Sequence, residues 1–156
     1  MITVRAVGVD DWATWRDLRL AALADAPHAF TSGFAEWRDA DEQRWRSRLA
    51  AGARHLAAWL DDTPVGMVGA FDNPDGSAEL VSLWVAPTAR GRGVSDALIG
   101  ALLDWAGERA VRLEVFATNT PALDLYRRNG FLVVAADQRS DGQLAMTHTA
   151  PVDSAP

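Results

Sequence analysis

At 156 residues, with 49% apolar and 23% charged content, the chain has the composition of one folded domain, and a disordered segment is excluded. It contains no cysteine, and all fifteen basic residues are arginine, which excludes disulfides, thiolate ligands, a cysteine nucleophile, a Schiff-base lysine and the lysine of a P-loop. A net charge of −6 disfavours nucleic acid as a partner and suits a cationic or neutral one better.

No apolar run approaches the ~20 residues of a membrane span. The start, Met1-Ile2-Thr3-Val4-Arg5, lacks the basic-then-apolar shape of a signal peptide, so the expected location is cytoplasmic.

In chain order, Ile2 to Val7 alternates as a strand, and Asp10 or Asp11 caps a helix whose apolar stripe runs Trp12, Trp15, Leu18, Leu20, Leu23. Residues 25 to 35 read as an irregular connection, and Asp41 to Ala50 as a second helix. His55 to Leu60 and Val65 to Phe71 form a hairpin around Asp61-Asp62-Thr63-Pro64, and Asn73-Pro74-Asp75-Gly76 turns the chain into a third strand, Ala78 to Val85. Arg92 to Glu108 is the next helix, buried along Ala97, Leu98, Ala101, Leu102 and Trp105. Val111 to Phe116 is a strand, Pro121 to Arg128 a short helix, and Phe131 to Ala136 and Leu144 to His148 the last strands, with a tail over 149–156. The order predicts a mixed α/β or α+β sheet.

The most informative segment joins the third strand to the helix that follows it: Val81-Ser82-Leu83-Trp84-Val85-Ala86-Pro87-Thr88-Ala89-Arg90-Gly91-Arg92-Gly93-Val94-Ser95. A helix start offers unpaired N–H groups and a partial positive charge, and Gly91 and Gly93 let oxygen atoms approach the main chain, so this turn reads as a pyrophosphate cradle. Asp96 stands where a dinucleotide fingerprint has its third glycine, which argues against that class.

The motif Arg90-Gly91-Arg92-Gly93-Val94-Ser95, followed by Asn119-Thr120-Pro121-Ala122-Leu123-Asp124-Leu125-Tyr126-Arg127-Arg128-Asn129-Gly130-Phe131, resembles the two signatures of the GCN5-related N-acetyltransferases (GNAT). Ser95 replaces the family's glycine or alanine. The resemblance covers residues 1–148 and implies a single-domain GNAT fold, a mixed, mostly antiparallel sheet flanked by helices. It implies acetyl-coenzyme A as co-substrate and an amine acceptor that attacks directly in a ternary complex. The alternative is a non-catalytic acyl-coenzyme A sensor.

The same resemblance assigns coenzyme contacts to the main chain of Leu83, Trp84 and Val85, to residues Arg90 to Ser95, and to Asn119, which also reads as a helix cap. Tyr126 stands where the family has its general acid, and the other reading of this side chain is a core aromatic. Glu79 matches the base of histone-type members, with Glu114 or water as rivals, and the Val85 amide is the expected oxyanion donor. Phe30, Phe34 and Glu114 are candidates for the acceptor wall, and Asp25, Glu36, Asp39 and Asp41 could draw a cation or form a solvated face. His28, His55 and His148 lack metal-ligand spacing, so no metal is expected. A homodimer through apolar edge strands is a further expectation.

Overall fold

The computed structural model describes residues 1–26, 33–50, 53–138 and 142–150. Its centre is a seven-stranded sheet of order β1-β2-β3-β4-β5-β7-β6, made of β1 (Ile2–Ala6), β2 (Ala53–Leu60), β3 (Thr63–Asp72), β4 (Ala78–Val85), β5 (Val111–Phe116), β6 (Leu132–Gln138) and β7 (Gln143–His148). Every pair is antiparallel except β4 with β5, which is the mixed sheet expected from the sequence.

Helices cover both faces. On one lie α1 (Trp12–Asp25), α2 (Phe34–Arg38) and α3 (Glu42–Ala50), and on the other α4 (Val94–Ala106) and α5 (Thr120–Arg128). Trp15, Leu18, Ala22 and Leu23 give α1 a buried stripe, which closes a core with Trp37, Trp45, Met67 and Trp84. The short helix α2 begins at the end of the segment read as irregular, residues 25 to 35, and continues past it, anchored by buried Trp37; the expected tail over 149–156 lies outside the described residues from 151 onward.

Helix α4 is rolled slightly from the expected stripe: Val94, Leu98, Ile99, Leu102 and Ala106 are buried, because placing Ile99 inside removes more apolar surface than placing Ala97 or Ala101 there. The helix sits close to β3 because Gly66 has no side chain; a Cβ there would stand 3.0 Å from Leu98 Cδ1 and 3.1 Å from Val94 Cγ1. On the outer strand β6, Leu132 is 73% exposed, an apolar edge of the kind the homodimer expectation needs. Among the described residues, no helix is long and apolar enough to cross a membrane.

Candidate functional site

Strands β4 and β5 stay paired only at Ala78 opposite Val111 and Glu79 opposite Arg112, and then diverge. The gap is a cleft of about 350 Å³ between residues Leu80 to Val85 on one side and Leu113 to Phe116 on the other, closed at its far wall by Asn119, Leu125 and Tyr126 of the α5 region. Along this stretch β4 has hydrogen-bonding groups turned toward the cleft. The Ala86 N–H donates to Val65 O at 2.7 Å on the β3 side, so by strand alternation the Val85 N–H and C=O face the opposite edge. There the Val85 carbonyl accepts from Arg90 Nε at 3.0 Å.

Below the cleft the glycine turn opens α4. Gly91 and Gly93 adopt left-handed φ of 77° and 84°, and nothing stands within 4 Å of where a Cβ would project at either. Gly93 is the N-cap residue and no side chain caps the first turn, so its amides remain available to an anion. A cavity of about 230 Å³ lies over this turn, lined by Arg90, Gly91, Gly93, Val94 and Ser95; Ser95 also lines the cleft. Arg92 is exposed and does not line it.

Two charges in this region are already engaged. Arg90 Nη2 donates to Asp25 Oδ2 at 2.6 Å, and the same carboxylate oxygen accepts from Trp84 Nε1 at 2.9 Å, which ties the turn to the end of α1. Those bonds, from Trp84 first and then Arg90, hold the Asp25 carboxyl below its ordinary range. The ring of Trp84 belongs to the core on the α1 side. Asp96, which in the sequence looked repulsive to a pyrophosphate, accepts two bonds from Arg128 at 3.0 Å and one from Asn129 at 2.8 Å; its charge therefore clamps α4 to α5.

Tyr126 is 9% exposed, meets Phe131 edge-on at 5.7 Å between ring centroids, and lines the cleft. Burial pushes its phenol up to about 12, so the group stays protonated across the neutral range. Asn119 combines both of its expected readings: its Oδ1 accepts the Ala122 N–H at 3.2 Å as the cap of α5, and the residue also lines the cleft. Glu114 lines the cleft from β5. Glu79 does not; it stands at the closed end, accepting from Asn73 Nδ2 at 3.2 Å, and its direct partner across β3 is Phe71.

Sequence reasoning missed what lies across the sheet. Met67 faces Trp84 and Gly69 faces Val81, so Val68 opposes both Ser82 and Leu83, and β4 carries a bulge. Ser82 takes φ 59°, a left-handed conformation that costs a non-glycine residue about 1–2 kcal/mol. Its hydroxyl accepts from Arg19 Nη1 at 2.8 Å.

On that side a second cavity of about 260 Å³ is bounded by Trp15, Arg19, Arg48, His55, Phe71, Val81 and Ser82; Val81 and Ser82 are also walls of the first cleft. His55, one of the three histidines without metal-ligand spacing, stands on β2. It is 6% exposed, meets the Trp15 ring edge-on at 4.6 Å, and its buried Nδ1 has no hydrogen-bond partner. Burial, and then the charges of Arg48 and Arg19, lower its imidazole to about 4, so it is neutral near pH 7. Arg19 was legible only as one more helix arginine, yet it stands four residues after Trp15 and so shares its face.

Of the three residues expected at the acceptor wall, Glu114 lines the coenzyme cleft. Phe34 packs against the α1-side core and lines neither cavity, and Phe30 lies outside the described residues. The acids read as drawing a cation or forming a solvated face are engaged as well: Glu36 with Arg44 at 3.3 Å, Asp39 with Arg38 at 3.5 Å, and Asp41 as acceptor of the Arg44 N–H at 2.9 Å. Among the described residues, no group of histidines and acids could hold a metal.

The family model described as acetyltransferase (GNAT) family matches residues 15–131. The chain is 48% identical over 149 residues to a mycothiol acetyltransferase of Clavibacter sepedonicus, covering 87% of this chain and 44% of that protein. It spans less than half the length of the curated relatives it matches. Among solved structures, the PaiA N-acetyltransferase of Thermoplasma acidophilum in complex with coenzyme A superposes with a TM-score of 0.72 at 18% identity, over 96% of this chain and 99% of that one. YncA of Salmonella typhimurium, solved with its cofactor acetyl-CoA, gives a TM-score of 0.75 at 18% identity, over 99% and 97% of the two chains.

Proposed function

The chain belongs to the acetyltransferase (GNAT) family, and we propose that it moves the acetyl group of acetyl-coenzyme A to a primary amine by direct attack within a ternary complex. The observation that carries this reading is the divergence of β4 from β5 after two paired positions, which leaves the outer edge of β4 open along the cleft. A pantetheine arm, with its alternating amides, pairs with such an edge as an added strand would. The open left-handed turn at Gly91 and Gly93 and the uncapped start of α4 suit the pyrophosphate.

When bound, acetyl-coenzyme A supplies an activated thioester. The Val85 N–H, turned toward the cleft, is the donor for charge developing on the acetyl oxygen. The Tyr126 phenol donates to the sulfur as the carbon–sulfur bond breaks. With its pKa raised it is a weaker acid than an ordinary phenol, so it acts first as a hydrogen-bond donor, and solvent replaces any proton it gives.

An amine is mostly protonated at neutral pH and must lose a proton before nitrogen attacks. Glu79 is on the same face of β4 as Val81, two residues and roughly 7 Å before it, and we assign it the removal of that proton through water. Glu114, in the cleft itself, is the rival. The absence of cysteine fits direct attack rather than an acyl-enzyme.

The test is thiol release from acetyl-coenzyme A across polyamines, amino acids, aminoglycosides and N-terminal peptides. Release with at least one amine class is expected. Coenzyme binding without release for any acceptor would overturn the transferase reading in favour of a sensor.

A further inference from the structure

The cavity on the α1 side of the sheet has a composition that selects its occupant. It touches the coenzyme cleft through Val81 and Ser82, so an acceptor reaching the thioester from the opposite face would rest here. Its size, about 260 Å³, fits a molecule of amino-acid dimensions. Two guanidiniums, Arg19 and Arg48, line it, and among its described lining residues there is no carboxylate.

Arg19 is 6% exposed, and although burial and the charge of Arg48 lower it to about 10, it remains a cation at neutral pH. Arg48 lies at the exposed rim, its guanidinium 5.7 Å from the Trp37 ring centre. Like charges sharing one partly desolvated space repel, and an anion between them relieves that repulsion. The Trp15 and Phe71 rings that complete the wall exclude water and strengthen each of these interactions.

We propose that this cavity is the acceptor pocket and that the acceptor is an amine that also carries a carboxylate. The carboxylate is held by Arg19 and Arg48, and the amino group points to the bulge at Ser82. The proposal rests on the acetyltransferase reading and narrows it: polyamines and other amines without an acid are poor acceptors. The carboxylate undergoes no bond change; it fixes position.

The test uses products as probes. Binding of N-acetyl-alanine, N-acetyl-leucine and N-acetyl-phenylalanine is compared by calorimetry with binding of their carboxamides, coenzyme A being present. At least one acid should bind about 10-fold or more tightly than its amide, the scale of a hydrogen bond to a charged group. Arg48→Gln should remove most of that difference, and Arg48→Lys, which keeps the charge, should restore part of it. Amides that bind as well as acids, binding of neither form, or a preference that survives Arg48→Gln would overturn the proposal.

Acetyl-coenzyme A binding by the same chain separates this inference from its premise. Acid preference without any affinity for acetyl-coenzyme A would keep the carboxylate pocket and defeat the transferase reading. Acetyl transfer to amines lacking an acid as readily as to amino acids would do the reverse.

Discussion

On the β5 side of Ser82 a ligand meets main-chain groups, the open edge of β4, the glycine turn and the first amides of α4, beside residues of β5 and the α5 region such as Glu114, Asn119 and Tyr126. On the α1 side the residues that bound the cavity come from α1, α3, β2, β3 and β4, with the charged side chains of Arg19 and Arg48 among them. A main-chain wall recognises a ligand that is itself strand-like and phosphorylated, and it tolerates substitution wherever backbone geometry survives. A side-chain wall is specific by charge and shape, and a single substitution can change what it accepts. The two regions thus divide the labour, one fixed for the shared co-substrate and the other adjustable for the acceptor.

Several substitutions would break or sharpen that division. The largest effect is expected at Tyr126, the side chain that donates to the departing sulfur. Tyr126→Phe should lower kcat about 100-fold, the lower end of acid–base contributions, while calorimetry shows acetyl-coenzyme A affinity within about threefold of the parent. Unchanged turnover would remove its role.

Next in size is the pH response of the α1-side pocket. His55 has a folded pKa near 4 against an ordinary 6.5, so the unfolded chain binds the extra proton first. Its contribution to stability is intact above pH 6.5, erodes as pH falls toward 4, and is fully lost below that, on the order of 3 kcal/mol. Denaturant midpoints at pH 7.5 and pH 4.5 should therefore differ less in His55→Phe than in the parent. An equal difference in both proteins would show that His55 is not the titrating group.

The bulge where the regions meet comes third. Ser82→Ala removes the acceptor of Arg19 Nη1 yet keeps the left-handed strain, and should cost about 1–2 kcal/mol by chemical denaturation. Ser82→Gly also loses the bond but relieves the φ of 59°, so it should be the milder of the two. If Gly proves as damaging as Ala, backbone strain at the bulge is not significant.

Smallest is Gly93→Ala on the main-chain side. Its φ of 84° is costly to alanine although no neighbour blocks the new methyl, so a loss of about 1 kcal/mol in thermal stability is expected together with weaker coenzyme binding. Acid discrimination in the other pocket should persist.

The same contrast explains what could be read in the chain. The coenzyme side is written almost contiguously from Val81 to Ser95 and again from Asn119 to Phe131, and its geometry follows from local rules: a glycine turn, an uncapped helix start, an Asn cap before Pro121. The acceptor side is assembled from Arg19, Arg48, His55 and Phe71, four residues that only the tertiary fold brings together. Arg19 looked like surface because arginine on a helix normally is; its burial became visible only with the serine it serves at a bulge 63 residues away. That bulge has no signature of its own, since a glycine would have announced it and a serine does not. Asp25 illustrates the same limit, read as drawing a cation or as part of a solvated face but spent on Trp84 and Arg90.

The central claim is that two cavities meet at Ser82 so that co-substrate and acceptor are held at once. Initial rates of thiol release, with acetyl-coenzyme A and a free amino acid such as leucine varied together, test it most directly. Double-reciprocal lines that intersect are predicted, because both substrates bind before either product leaves. Parallel lines, the mark of an acetylated enzyme formed before the acceptor arrives, would contradict it.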